Sequence, residues 1–524
     1  MAIIQVQHLS FTYPGSFVPV FADISFHMDS SWRLGLVGRN GRGKTTLLRL
    51  LSGELQGSGQ IVTPLQFDRF PIDLPEGGSA LNCLRQAIAP FDQWEQQMAS
   101  LLQRRDAASL EKWGELEHLY SAQDGYIINS LIAREADLMG IPEDQLQRPL
   151  ASFSPGERTR LMLAALFLRR NRFLLIDEPT NHLDMQGRDI VAEYLSRKQG
   201  FLLVSHDRSF LDRSVDHILA LQKNSIRVEQ GNYSSYRRNK QMQDDFERQQ
   251  NEKLTKDIRR LTASSRERAA WSDKLEDTKI GSHTADRGFV GAQAARTMKR
   301  SLAIRGRIGR QLEEKEGLLK ELERADPIHL HPLHHPARTL LAAENVSFAY
   351  PGGPLLLDGF ALQLTHGQRI AIVGGNGAGK STLLKLLAGS LSPTSGQIRR
   401  PGDLVISTLP QEIGQVGGTP YELASRWGLE TDFFFTLLRK FDFDREAFDR
   451  DARGFSMGQQ KKLLLAASMA RPAHLYLWDE PLNYIDLESR EQIENMLRDT
   501  EATMVFVEHD RHFVDSVATD QITL

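Results

Sequence analysis

Two stretches of this 524-residue chain carry the pattern G-x-x-x-x-G-K-[ST]: Gly38-Arg39-Asn40-Gly41-Arg42-Gly43-Lys44-Thr45 and Gly374-Gly375-Asn376-Gly377-Ala378-Gly379-Lys380-Ser381. Each follows an apolar run ("LGLV", "IAIV") and opens an apolar-periodic segment. A strand, a loop and a helix are expected in that order. Glycines at this spacing let backbone N–H groups wrap a phosphate, and the helix start favours its negative charge. Lys44 and Lys380 would reach the β- and γ-phosphates of a nucleoside triphosphate, and Thr45 and Ser381 would ligate Mg²⁺. Thr46 and Thr382 follow them in the phosphate-facing turn. "LLIDE" and "LYLWDE" read as buried strands that end in paired acids. Asp177 and Asp479 would hold the metal, and Glu178 and Glu480 would polarise an attacking water.

The elements that must position these groups come twice. "GLVGRNGRGKTTLLRLLSG" at 35–53 returns as "AIVGGNGAGKSTLLKLLAG" at 371–389, and "FSPGERTRLMLAA" at 153–165 as "FSMGQQKKLLLAA" at 455–467. "LLIDEPTNHLD" and "VSHDRSFLD" return as "LYLWDEPLNYID" and "VEHDRHFVD". Four matches in one order mean duplicated α/β domains. Lys44 and Lys380 are 336 positions apart, whereas Ser154 and Ser456 are 302 apart. The first copy therefore holds about 34 extra residues between its phosphate loop and "FSPGE". They fall in a helical insertion at about 74–150, with polar, helix-favouring sequence at 93–123. A partner contact and a lengthened helical subdomain both fit that segment.

Between the copies lies a third region, 236–325. Its segments 237–270 and 292–324 contain no proline and are rich in Lys, Arg, Glu, Gln, Ala and Leu. They read as two long helices, with a glycine-broken tip at 276–292 and a proline-stiffened connector at 326–338. The domains are then 1–235 and 339–524, joined by an α-helical hairpin. Over 237–324 there are 22 Lys/Arg against 15 Asp/Glu, and from Arg287 to Arg310 seven Lys/Arg and no acid. The whole chain carries a net charge of −3, so a polyanion partner would be met locally. RNA phosphates suit that asymmetry; a solvated charged helix is the bland alternative. His283, Arg287, Phe289, Arg296, Lys299 and Arg300 are the candidate RNA contacts. Phe289 would otherwise pack the hairpin turn, and Trp271 reads as hairpin core. The single cysteine, Cys83, reads as a helical core residue, and it excludes an intramolecular disulfide and a Cys-based zinc site. Neither a signal peptide nor an apolar run of bilayer length is visible, and a cytoplasmic location is expected.

"FSPGE" and "FSMGQ" resemble the signature of ATP-binding-cassette (ABC) ATPases, usually LSGGQ. In that family two P-loop (RecA-like) cassettes face head to tail, with each ATP between one phosphate loop and the other signature. The resemblance implies that Ser456 and Gly458 complete the site of Lys44, Asp177 and Glu178, while Ser154 and Gly156 complete that of Lys380, Asp479 and Glu480. Pro155 and Met457 replace the first signature glycine, a change expected to weaken closure. His206 and His509 resemble the family's switch histidine, Asp184 and Asp486 its coupling loop, and Tyr13 and Tyr350 the aromatic that stacks on adenine. Gln411 in "TLPQ" matches a Mg²⁺-contacting glutamine, whereas "RFPI" puts Ile72 at the equivalent place.

Twin cassettes on one chain with a helical linker resemble the ABC-F class, which acts on ribosomes. The linker tip is similar to that of Lsa-type antibiotic-resistance members. This implies an ATPase that enters the tRNA exit site of the bacterial ribosome and reaches large-subunit rRNA at the peptidyl-transferase centre. There it would displace peptidyl-tRNA and dislodge lincosamide, pleuromutilin or streptogramin A drugs. A housekeeping translation factor of the same class, the ATP-binding subunit of a transporter and a DNA-handling ATPase are the competing readings.

Overall fold

The computed structural model describes residues 2–280 and 330–524, except positions 16, 17, 76, 105, 182, 223, 224, 412, 413 and 415, with backbone alone at 104, 261 and 264–280. Two compact units are present, one of residues 1–234 with 326–524 and one of 235–325.

The first half of the larger unit contains β1 (Ile3–Phe11), β2 (Phe21–Asp29), β3 (Arg33–Val37), β4 (Ser58–Val62), β5 (Gln66–Phe70), β6 (Arg172–Asp177), β7 (Phe201–Val204), β8 (His217–Leu221) and β9 (Ile226–Gln230). β1 buries Ile4, Val6, Leu9 and Phe11, close to the two-residue period of a half-covered strand. It lies between β2 and β4 in an antiparallel sheet. The second sheet runs β5-β6-β7-β3-β8-β9 and is parallel except for β9. Its central strands are continuous apolar runs, buried along nearly their whole length, as a sheet covered on both faces requires. The two sheets pack the helix Lys44–Leu51 between them through Leu47, Leu48 and Leu51.

The second half repeats this plan with β10 (Thr339–Ala349), β11 (Leu355–Thr365), β12 (Arg369–Val373), β13 (Ser395–Arg399), β14 (Ile406–Leu409), β15 (Leu475–Asp479), β16 (Met504–Val507) and β17 (Asp520–Thr523). The sheets are β11-β10-β13, antiparallel, and β14-β15-β16-β12-β17, all parallel. The phosphate loops, the acid pairs and the histidines follow the C-terminal ends of the parallel strands β3, β6, β7, β12, β15 and β16. That is where such sheets gather a ligand site.

Each half also has a helical subdomain. In the first, the helices Ala80–Ile88, Ile128–Leu138 and Pro155–Leu168 enclose Cys83, Leu84, Ile132 and Leu161. The Cys83 thiol is 1% exposed and faces the Gly77 carbonyl, and burial raises its pKa. The extra residues of this half form the helices Phe91–Arg104 and Ala107–Ala122, which pair with each other. In the second half, Phe434, Phe435, Leu438 and Phe448 fill the equivalent core beside the helix Met457–Ala470.

One helix extends to Ile280 from its start at Tyr233, a span of 48 residues, and all but its first two residues belong to the smaller unit. At a rise of about 1.5 Å per residue that is roughly 70 Å. The segment 233–280 has neither proline nor glycine to stop it. The second linker segment at 292–324, most of the tip and the start of the connector lie outside the described residues. Among the described residues no helix is long and apolar enough to cross a membrane.

Candidate nucleotide sites

Both phosphate loops turn into their helices through a glycine that no other residue would fit. Gly43 and Gly379 have φ of 95° and 96°. A Cβ on Gly43 would lie 2.6 Å from Val20, and one on Gly379 2.9 Å from Leu356. Lys44 Nζ donates to the carbonyls of Gly38 and Arg39 at 2.6 and 3.3 Å and to Asn40 Oδ1 at 3.4 Å. Lys380 Nζ donates to Gly374 and Gly375 at 2.9 and 2.8 Å. Burial lowers the pKa of both lysines. Tyr13 and Tyr350 bond Thr46 and Thr382 at 2.9 and 3.2 Å and are 38% and 45% exposed. Adenine stacking needs an exposed ring face.

Glu178 and Glu480 both adopt left-handed backbone conformations, with φ of 49° and 47°. Such strain in a non-glycine residue marks a site that the surrounding fold holds in place. Their surroundings differ. Glu480 accepts from Gln411 Nε2 at 2.7 Å and from Asn483, and the His509 imidazole stands 3.6 Å away. Burial pushes its pKa up, but His509, Gln411 and the charge of Lys461 together hold it below the ordinary value. Glu178 has His206 Nε2 at 3.3 Å and the His206 backbone N–H at 3.4 Å. Its pKa is pushed up to about 8, by burial first and then by the charge of Asp177. Burial and the nearby Lys44 charge push the His206 pKa well below its ordinary value.

The metal-side groups differ in the same sense. In the second half Ser381 Oγ lies 3.3 Å from Gln411 Oε1, and Asp479 Oδ1 is buried without a hydrogen-bond partner. Hydroxyl, amide and carboxylate oxygens form a hard donor set that fits Mg²⁺. In the first half Thr45 Oγ1 donates to Asp177 Oδ2 at 3.3 Å. Ile72 packs against the helical-subdomain core and offers no side-chain oxygen. Arg69 takes the position of Thr408; its Nη1 binds Glu54 at 2.8 Å and its Nη2 lies 4.0 Å from Asp177. Among the described residues no cluster of three His, Cys, Asp or Glu could hold a metal alone, so an ion at either site would depend on phosphate oxygens too.

The signature serines are helix caps. Ser154 and Ser456 each close a capping box, with Glu157 and Gln459 as the reciprocal partners. Pro155 and Met457 take the first helical position. Proline is well suited there because that N–H has no intrahelical acceptor.

The two halves meet across these sites. Asn40 Nδ2 donates to the Tyr484 carbonyl at 2.9 Å, and Arg39 pairs with Asp442 at 2.8 Å and with Glu488. A Cβ on Gly458 would lie 2.7 Å from the Tyr484 oxygen and 3.1 Å from Asn40 Nδ2, so the signature faces the first phosphate loop. On the other side Asp184 Oδ2 comes within 4.0 Å of the Cβ position of Gly375. Asp184 and Asp486 both cap the helices that follow them. Gly458→Ala is expected to weaken nucleotide-driven closure by about 1–3 kcal/mol, or roughly 5- to 150-fold. Trapping of labelled nucleotide measures this, and undiminished trapping would show the contact to be slack.

The structure thus brings Lys44, Thr45, Asp177, Glu178 and His206 together in the first half and Lys380, Ser381, Gln411, Asp479, Glu480 and His509 in the second, and sets Gly458 against Asn40, whereas Ser154 is placed as the cap of its helix. His283, Arg287, Phe289, Arg296, Lys299 and Arg300 lie outside the described residues. Sequence reasoning missed Arg39, Arg69, Lys461 and Glu508. The last two were visible as paired departures between the repeats.

The family model described as ABC transporter matches residues 21–181 and 357–483. The probable ATP-binding protein YheS of Escherichia coli K12 is 31% identical over 93% of this chain and 74% of its own length. ABC transporter F family member 2 of Arabidopsis thaliana is 26% identical over 98% of this chain and 75% of its own. Among solved structures, the archaeal ribosome recycling factor aABCE1, in complex with ribosomal stalk protein aP1, superposes with a TM-score of 0.57. It does so at 19% identity over 98% of this chain and 87% of that one.

Proposed function

Because the chain belongs to the ABC-F family of ATP-binding-cassette ATPases, with two cassettes, we propose that it is a cytoplasmic factor that binds the bacterial ribosome when ATP has closed its cassettes. Each ATP lies between one phosphate loop and the opposite signature. Lys44 and Lys380 hold the β- and γ-phosphates. Ser456 with Gly458, and Ser154 with Gly156, face them from across the interface. Mg²⁺, held by Ser381, Gln411 and Asp479 in the second site and by Thr45 and Asp177 in the first, would neutralise phosphate charge. Glu480 and Glu178 orient the attacking water, and His509 and His206 contact the γ-phosphate. The observation that carries this reading is the contact between halves at Asn40, Gly458 and Tyr484, which places a signature against a phosphate loop.

The linker is the effector. Its excess of 22 Lys/Arg over 15 Asp/Glu, on a chain of net charge −3, supports contact with rRNA and tRNA phosphates. Its tip, with His283, Arg287 and Phe289 and then Arg296, Lys299 and Arg300, reaches the peptidyl-transferase centre. There it displaces peptidyl-tRNA and dislodges lincosamide, pleuromutilin or streptogramin A compounds.

Sedimentation with bacterial ribosomes tests the first half of this reading. The protein is expected to pellet with a non-hydrolysable ATP analogue and to stay soluble with ADP. Failure to pellet with the analogue rules out the ribosome. Deleting residues 281–291 should keep analogue-dependent pelleting but return inhibitory drug concentrations to those of cells lacking the protein. Protection that survives the deletion removes the tip as effector. No protection by the full chain leaves a translation factor without resistance activity.

A further inference from the structure

The two halves differ at a buried pair that the phosphate chemistry above does not use. In the first half Thr159 and Ser205 are small, neutral and buried. The matching residues of the second half are Lys461 and Glu508, which are 0% and 2% exposed. Opposite charges have entered this interior together. Lys461 Nζ donates to the carbonyls of Pro410 at 2.9 Å, Asp479 at 3.2 Å and Gln411 at 3.5 Å. An ammonium group has three donors to give, and here each meets an oxygen. All three carbonyls belong to the metal side of the second site. Glu508 in turn accepts from Leu482 N at 2.8 Å and His509 N at 2.9 Å. It fixes the backbone of the switch histidine and the start of the turn that leads to Asp486.

Lys461 sits on the helix Met457–Ala470, whose first turn, with Ser456 and Gly458, faces the first phosphate loop. Five residues along a helix is about 7–8 Å. One stiff element thus touches the first site at its start and grips the second site's metal ligands little more than a turn later. We propose that Lys461 is a positioning residue that couples the two nucleotide sites through this one helix, linking closure on the first site to the placement of Gln411 and Asp479 in the second. The proposal rests on the reading of both sites as ATP sites. The first half's own helix, Pro155–Leu168, lacks the equivalent link. Thr159 is three heavy atoms too short to reach such carbonyls, and Ile72 stands where Gln411 would receive the signal.

The test is a set of full-length variants. Lys461→Thr with Glu508→Ser installs the first half's own pair and leaves no buried charge unmatched. In the parent, Lys44→Ala, which disables the first site, should slow ATP turnover at the second about tenfold, the scale of a charge-assisted hydrogen bond. In the Thr/Ser background the same Lys44→Ala change should have little effect. The Mg²⁺ concentration for half-maximal turnover should rise severalfold, and Lys461→Arg, which keeps the donors, should retain parent behaviour. An unchanged Mg²⁺ requirement, or a Lys44→Ala effect of the same size in both backgrounds, overturns the relay. A parent protein that hydrolyses no ATP overturns the underlying reading of the sites instead.

Discussion

Glu480→Gln should lower steady-state ATP turnover by about 10²–10⁴-fold, the range of a lost general base. Glu178→Gln should cost much less. The reason is the company each carboxylate keeps. Glu480 is bonded by Gln411 and Asn483 and stands beside His509. Its charged form, which a base needs, is favoured. Glu178 is buried next to Asp177 and its pKa is raised to about 8, so near neutral pH much of it carries a proton. Ile72 supplies no amide to counter this. Phosphate release measured for each single variant and for the pair decides the matter. Equal losses from the two single changes would mean that the sites turn over alike and that the Gln411 contact is incidental.

A second large effect is expected at Lys462, whose Nζ lies 2.6 Å from Asp486 and 3.2 Å from the Phe441 carbonyl. The side chains of the pair are only 3% and 1% exposed. Asp486 is also bonded by Ser489 N and Oγ, at 2.9 and 3.0 Å. Burial raises its pKa, but the Lys462 charge outweighs this and holds it well below the usual carboxylate range. Lys462→Met keeps the stem and removes the charge, leaving the carboxylate alone in the interior. Breaking a buried pair in this way costs about 3–5 kcal/mol. In a domain of this size that lowers the unfolding midpoint by on the order of 10 °C. Asp486→Asn added to Lys462→Met should recover part of the loss. A shift near zero in thermal melts would mean that water reaches the pair. Arg160, the first-half counterpart, donates to the Met139 carbonyl at 2.6 Å.

Much of the site was legible because phosphate chemistry constrains residues locally. A glycine-rich loop, a strand ending in two acids and a histidine after a strand are each written in a few consecutive letters, and duplication wrote them twice. The doubly repeated α/β plan followed from the same segments. What stayed hidden depends on residues distant in sequence. Arg39 meets Glu488 and Asp442 only after both halves have folded and met. Lys461 looks like a surface lysine in "MGQQKKLLL", yet it is fully buried and satisfied by three carbonyls. The signature departures were expected to weaken closure. Pro155 occupies a helix position where proline costs nothing, a fact that only the cap geometry supplies. The long helix was also read too short, at 237–270 against Tyr233–Ile280. Propensity alone sets such ends poorly.

The contacts of Arg39 and Asn40 lie within the first phosphate loop itself, so that loop is laced to the opposite half through Asp442, Glu488 and Tyr484. The second loop has Gly375 at the place of Arg39 and cannot make the equivalent ionic grip. When the halves part, the motion therefore resembles a jaw with its fulcrum off centre. The second mouth is expected to gape first and exchange its contents, while the first stays shut around its own for longer.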